Sequence, residues 1–305
     1  MSDQDPSVMI GVPAYNAETH LAAALESILN QTYENFQIVI ADNASTDRTA
    51  DICAEFEKRD SRVRVIRQKE NLGGARNFNY VGRLARGKYF KWAASNDLCQ
   101  PRFLECCVSA LEENPDCVLA YPEAFLIGES GEVQSEYKDT LVASDTDVAN
   151  RFLSALSTIE LNNAQYGLIR SDVLLGTRFE GAYASGDIPF MAELALHGKF
   201  LRLPERLFMR RVSPESSTIG NDPSANRDFN KIHGSALKTN TFLNFWFHVF
   251  AIVATAQLPV TTKLRISKAL ARRVWWGLAT ISRRKSGAKK DRADRGLSPD
   301  KALGS

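Results

Sequence analysis

A chain of 305 residues, 44 % hydrophobic and 24 % charged with no low-complexity tract, is globular and long enough for one large domain or for a domain plus an appendage. Its net charge of +2 conceals an asymmetry: Lys263 to Arg292 holds eleven Lys or Arg against the single acid Asp291, so the body before it is mildly acidic. The acidic, polar start Met1-Ser2-Asp3-Gln4-Asp5-Pro6 predicts no secretory signal, and five cysteines (Cys53, Cys99, Cys106, Cys107, Cys117), odd in number and without zinc-like pairing, predict reduced thiols in the cytosol.

Val8-Met9-Ile10-Gly11-Val12 is a short apolar run closed by Pro13 and predicts a buried strand. Asn16 is placed to cap a following helix in which Leu21, Leu25, Ile28 and Leu29 share one face. Phe36 to Ala41 predicts a second strand, followed by the polar loop Asp42-Asn43-Ala44-Ser45-Thr46-Asp47 and a helix with Ile52, Cys53 and Phe56 inward. Arg62 to Ile66 reads as the third strand, Gly73 to Leu84 as the third helix, and Lys88 to Ala94 as the fourth strand. Strands alternating with helices at this spacing make β-α-β units and a mostly parallel sheet, an α/β fold. From about residue 100 the alternation weakens. A helix is predicted at Phe103 to Leu111, a strand at Cys117 to Tyr121, loop over 128–148, and helices at Phe152 to Ile159, Pro189 to His197 and after Asn226.

Three polar clusters fall at the ends of successive strands: Pro13-Ala14-Tyr15-Asn16, Asp42 to Asp47, and Ser95-Asn96-Asp97. In a parallel sheet they meet at one edge, where α/β proteins bind ligands. There a base or sugar ring would stack on Tyr15, Asp42 would accept from a base N–H, and Asp97 would hold a divalent cation against a phosphorylated ligand. The competing reading is that Tyr15 packs while the Asp, Asn and Ser residues cap helices and form turns.

The segments Val12-Pro13-Ala14-Tyr15-Asn16, Ser27 to Tyr33, Ile38 to Asp47 and Asn71-Leu72-Gly73-Gly74-Ala75-Arg76-Asn77 together resemble the family 2 glycosyltransferases. The resemblance is dense over residues 8–125 and thinner to about 220. It implies a GT-A fold over residues 6–225, a nucleotide-sugar donor (most simply a UDP-sugar), and inverting transfer to a glycan or lipid-linked acceptor in surface polysaccharide synthesis. Carried over residue by residue, it puts Pro13, Ala14, Tyr15, Asn16, Asp42, Asn43, Asn71, Gly74, Arg76, Ser95 and Asn96 in the donor site. Pro13, Tyr15 and Asp42 match the positions that hold the base. Asp97 matches the last acid of the Asp-x-Asp motif, which implies Mg²⁺ or Mn²⁺. This chain departs from the pattern in having Ser95 for the usual first acid and Asn96 where relatives often carry another Asp, and a hydroxyl and an amide bind a hard cation less well than carboxylates.

Inverting transfer needs a base for the acceptor hydroxyl. Ser185-Gly186-Asp187-Ile188-Pro189-Phe190 resembles the family's base segment and designates Asp187, whose rival role is a helix N-cap. Glu193 is the reserve, read more simply as a surface acid. Met209 to Thr218 resembles the loop that closes over the diphosphate, so Arg210 or Arg211 would stabilise the leaving group, while Ser213 stands where relatives often have His. Asn162, Asn163 and Gln165 are candidates for the acceptor pocket. Two other functions compete: a sugar nucleotidylyltransferase, which lacks support because no Gly-rich phosphate loop follows the first strand, and a non-catalytic nucleotide-sugar-binding descendant, which the thinned acidic motif favours.

Residues 226–305 form a helical, basic extension. Thr241 to Ala254 is aromatic-rich but carries Asn244 and His248 and is short for a membrane span. With Trp275, Trp276 and the basic run that follows, it suits the surface of an anionic membrane, on the inner face of the plasma membrane. The alternative is a helical element that packs on the core or on a second subunit. Nothing in the sequence resembles a nucleic-acid-binding module.

Overall fold

The computed structural model describes residues 6–212 and 241–275. Ser213, Trp276 and the basic residues from Arg283 to Arg292 lie outside the described residues. The chain divides into two compact units, 1–252 and 253–305.

In the first unit the elements follow in order: β1 (Val8–Ala14), α1 (Leu21–Leu29), β2 (Phe36–Asp42), α2 (Thr49–Arg59), β3 (Val63–Arg67), α3 (Gly74–Gly82), β4 (Tyr89–Trp92), β5 (Leu98–Cys99), α4 (Phe103–Glu113), β6 (Cys117–Ile127), β7 (Val133–Tyr137), α5 (Val148–Thr158), a 3-10 turn (Asn163–Tyr166), β8 (Leu168–Arg170), α6 (Ser171–Leu175), α7 (Asp187–His197) and β9 (Lys199–Arg211). A further helix, α8 (Thr241–Thr255), crosses from the first unit into the second. One sheet runs β3-β2-β1-β4-β8-β6-β9-β5, with β7 paired to β6. The first four strands are mutually parallel. Because β8 is antiparallel to both β4 and β6, β6 runs with β4, and β9 runs with β6. Six strands therefore share one direction, and their carboxyl ends make one rim.

β1 is buried at every residue, the signature of a parallel strand covered on both faces. On one face Val8, Ile10 and Val12 meet Leu21, Leu25 and Ile28 of α1 and Phe103, Leu104 and Cys107 of α4. On the other, Trp92 packs edge-on against Phe90, Phe179 and Phe190 at centroid distances of 4.8, 6.5 and 5.6 Å. Gly82 exists where α3 crosses this cluster: a Cβ there would lie 2.5 Å from Trp92 Cζ2 and 2.8 Å from Phe179 Cε1. Both rings are locked, so the Gly82→Ala protein is expected to lose about 1–3 kcal/mol through overpacking, read as a lower midpoint in urea with an unchanged slope.

Three expectations are corrected here. The stretch 128–148 is not all loop, because β7 forms a hairpin with β6 through pairs such as Ala124↔Tyr137. Met209, Arg210 and Arg211 are not in a loop but end β9, which pairs with β6 as far as Ile127↔Arg211. Asn16 does not cap α1, which starts at Leu21; it sits at φ 45° and its Oδ1 accepts from Thr46 N at 2.9 Å.

In the second unit residues 260–275 are helical. Ile266 and Leu270 are buried, while Val260, Leu264 and Trp275 are exposed. Lys263 Nζ donates to Ala254 O at 2.8 Å, satisfying a carbonyl at the end of α8. No helix of the described residues is long and apolar enough to cross a membrane.

Candidate active site

The register delivers the first cluster of site residues. Ala14 pairs with Asp42 and Asp42 with Arg67, so β1, β2 and β3 end level with one another. The loops beyond are tied together by short side chains. Asn16 N donates to Ser45 Oγ at 3.0 Å, and Asn43 N to Ala14 O at 2.8 Å. Asn43 Nδ2 donates to Asn71 Oδ1 at 2.8 Å, and Asn43 Oδ1 accepts from Leu72 N at 2.8 Å. Gly73, at φ 84°, then turns the chain into α3 behind Gly74, a backbone conformation that glycine adopts freely. Tyr15 is left 47 % exposed on this rim, and Arg76 is exposed on the first turn of α3. Asp42 has no exposed surface; Oδ1 accepts from Ser45 N at 3.0 Å, while Oδ2, 3.4 Å from Arg67 Nε, has no hydrogen-bond partner.

The end of β4 supplies the second cluster. Ser95 and Asn96 line a cleft of about 470 Å³ that also takes in Pro13 and Arg210. Asp97 behind them is 8 % exposed, and its Oδ1 accepts from Arg211 N at 2.8 Å. Burial pushes its carboxyl above the usual range, against the pull of the nearby Arg210. The two arginines separate in role. Arg211 spends its guanidinium on the carbonyls of Asn96, Gly128 and Glu129, pinning the turn after β4 to the turn after β6. Arg210 donates to Leu161 O and to Asn163 Oδ1 and faces the cleft. Lys91, which the sequence placed in a strand without further comment, is fully buried beneath the cluster. It donates to Trp92 O and Tyr166 O, and desolvation holds its pKa below the usual lysine value.

The cluster offers a cation a single carboxylate. Among the described residues no three His, Cys, Asp or Glu side chains gather into a metal cage. Such a donor set fits Mg²⁺ or Mn²⁺ held mainly by substrate phosphates, the habit of a hard cation that keeps one or two protein carboxylates. It does not fit a pre-formed all-protein site.

The opposite wall carries Asp187, the first residue of α7. The residue before it, Gly186, is the N-cap and makes no side-chain bond, so the carboxylate is free of capping duty. It faces the cleft, where its Oδ2 accepts from Asn162 Nδ2 at 2.6 Å. Gln165 and Tyr166 line the same cleft, whereas Asn163 is committed to Arg210. Glu193 is not a surface acid: it is 7 % exposed and accepts from Arg178 N at 2.9 Å, a structural bond that steadies the loop before α7. The sequence reading missed Glu180. Burial first, and the charge of Asp187 second, push its carboxyl up to about 8, and it lies in the cleft wall beside Asp187.

Residues 9–144 match the family model described as Glycosyl transferase family 2. An uncharacterised glycosyltransferase of Haemophilus influenzae is 30 % identical over 213 residues, covering 68 % of this chain and 66 % of that protein. A putative teichuronic acid biosynthesis glycosyltransferase of Bacillus subtilis is 27 % identical over 173 residues, 56 % of this chain and 68 % of that one. The chain thus spans about two thirds of the length of these curated relatives. Among solved structures, S. aureus TarS 1-349 in complex with UDP-GlcNAc superposes with a TM-score of 0.61 at 14 % identity, covering 85 % of this chain and 70 % of that one. With the level strand ends, the cleft and the sheet order already described, these likenesses place the chain in family 2 of the glycosyltransferases, on the GT-A fold.

Proposed function

We propose that the protein is an inverting glycosyltransferase that moves a sugar from a nucleoside-diphosphate donor, most simply a UDP-sugar, to a glycan or lipid-linked acceptor in surface polysaccharide synthesis. One observation carries the reading: a single cleft has the strand-end residues Pro13, Ser95 and Asn96 on one side and Asp187 on the other. The nucleotide lies along the rim. The exposed ring of Tyr15 is available to stack on the base, and Oδ2 of buried Asp42, paired in charge with Arg67 but without a hydrogen bond, is an acceptor for a base N–H. Asp187 takes the proton of the acceptor hydroxyl as that oxygen bonds to the anomeric carbon. On the opposite side of the carbon the bond to the diphosphate oxygen breaks, inverting the centre. Arg210, at the cleft, supports the negative charge that collects on the diphosphate. A divalent cation held by Asp97 and the phosphates would neutralise more of that charge.

The teichuronic acid relative and the UDP-GlcNAc complex of the structural neighbour support this donor and pathway class. A thermal-shift panel of nucleoside diphosphates and their sugars tests it, since a ligand at a hundred times its Kd adds about 2.7 kcal/mol. Stabilisation by UDP and UDP-sugars, followed by transfer or slow hydrolysis with Mn²⁺, is the expected result. Binding without turnover at any metal concentration would instead favour a non-catalytic descendant, the reading that the single carboxylate at Asp97 supports.

We propose further that the enzyme works at the inner face of the membrane. The second unit carries Lys263, Arg265, Lys268, Arg272 and Arg273 within its described helix, beside exposed Val260, Leu264 and Trp275. Each basic residue at an anionic surface contributes about 1 kcal/mol, screened as salt rises. The full chain is expected to sediment with anionic vesicles at low salt and not with neutral ones, and a chain lacking residues 263–305 to stay in solution while still transferring to a soluble acceptor. Equal binding to both vesicle types would reassign the tail to packing or self-association.

A further inference from the structure

The wall that carries Asp187 holds a line of side chains whose order is dictated by hydrogen-bond chemistry. The Asn162 amide has two hydrogens on Nδ2: one goes to Asp187 Oδ2 at 2.6 Å and the other to Gln165 Oε1 at 3.0 Å. Gln165 Nε2 donates in turn to Glu180 Oε1. Asp187 Oδ2 accepts at one end of the line and Glu180 Oε1 at the other, so the Asn162 and Gln165 amides are turned the same way. The backbone that supports this line is itself held in uncommon conformations, with Asn162, Phe179 and Ser185 at φ 53°, 64° and 64°. Asn79 clamps the Glu180 main chain on both sides, accepting from its N–H at 3.1 Å and donating to its carbonyl at 2.8 Å. Three separate segments are thereby fixed around one 9 % exposed carboxyl that still faces the cleft.

We infer that Glu180 is a positioning residue for the transfer step: through Gln165 and Asn162 it holds the Asp187 carboxylate towards the acceptor hydroxyl. The inference rests on the reading of Asp187 as the base. With its carboxyl pushed up to about 8, chiefly by burial, Glu180 keeps its proton at neutral pH. The other titratable groups at the cleft are Glu160 after α5, Tyr166 on the 3-10 turn, Tyr183 on the loop of Glu180, and Arg210 from β9. Tyr183 is bonded to His248 Nδ1 of α8 at 2.7 Å. Burial raises both tyrosines and lowers His248, so these three neither gain nor lose charge between neutrality and pH of about 9. Ionisation of Glu180 puts a negative charge at the far end of the line, against Gln165.

The test is kcat against pH for the unchanged full chain and for Glu180→Gln, Glu180→Ala and Asp187→Asn. The unchanged protein is expected to lose kcat on the alkaline side with a midpoint near about 8. Glu180→Gln, which stays neutral and can still accept from Gln165, is expected to keep kcat near neutrality and to lack that alkaline fall. Glu180→Ala is expected to lose roughly 10–100-fold in kcat with the donor KM unmoved, the cost of a misplaced base. An alkaline fall that persists in Glu180→Gln, or full kcat in Glu180→Ala, would overturn the positioning role. Full kcat in Asp187→Asn would instead overturn the base reading, so the two failures are told apart. If Glu180→Ala does not fold, carbon NMR of the Glu180 carboxyl decides: its midpoint is expected to fall in Asp187→Asn, and a fixed midpoint would sink the inference.

Discussion

Replacing Asp187 by Asn is expected to lower kcat by roughly 10²–10⁴ while the affinity for UDP and for the donor stays the same. The substitution keeps the size of the side chain and an oxygen that can accept from Asn162 Nδ2, so the 2.6 Å contact survives and the wall keeps its shape. What is lost is the basicity that the proposed mechanism uses to take the acceptor proton. On the proposed reading, donor binding is set at the strand ends of β1 and β2, which the substitution does not touch. Steady-state kinetics with calorimetric UDP titration checks both halves of the expectation. Loss of donor binding and of thermal stability together would make Asp187 a structural residue at the start of α7.

The second large effect is expected at Asp97. In Asp97→Asn the amide oxygen still accepts from Arg211 N, a bond of 2.8 Å in the native protein, so the link between the turn after β4 and the end of β9 persists. The negative charge does not. Arg210, Arg211 and Lys91 all act on this carboxylate, and its removal leaves three cationic groups without their shared counter-charge. Transfer is expected to disappear, and Mn²⁺ to stop tightening UDP binding, with the fold intact by circular dichroism. Asp97→Asn that turns over fully in chelator would remove the acid from any role with a cation.

What the sequence disclosed follows from how local the cause was. β1 and β2 are buried almost throughout and α1 has a clean apolar stripe, so their apolar runs and spacing sufficed. The rim residues Tyr15, Asp42 and Ser95 to Asp97 came with the strands, because a strand end fixes where the next side chains go. β9 was hidden since Arg202, Pro204, Glu205 and Arg206 interrupt its apolar residues, and its pairing with β6 contains register shifts that break any period. β7, exposed along most of its length, carries no burial pattern to find. Asn16 has the chemistry of a cap, and the sequence does not show that the Thr46 amide lies nearer than the start of α1. Glu180 was illegible for a different reason. Its properties come from Gln165, Asn79 and Asp187, which only the folded chain assembles, and its one local cue is an isolated acid before Gly181.

The position of β8 has a bearing on the order in which the molecule is built. β1 to β4 pair with one another within the first 92 residues, but the other side of β4 pairs only with Leu168 to Arg170. Until that late segment arrives, Tyr89, Phe90 and Trp92 sit on an open strand edge, the kind of surface on which partly folded chains recruit one another. During synthesis the rim at the ends of β1, β2 and β3 can therefore form early, whereas the part of the cleft that carries Glu180 and Asp187 waits for long-range pairing, which is slow because distant segments must first meet. On the proposed reading, donor recognition and acceptor activation are thus separated in time: the growing chain has the rim proposed for the nucleotide before it has the residue proposed as base.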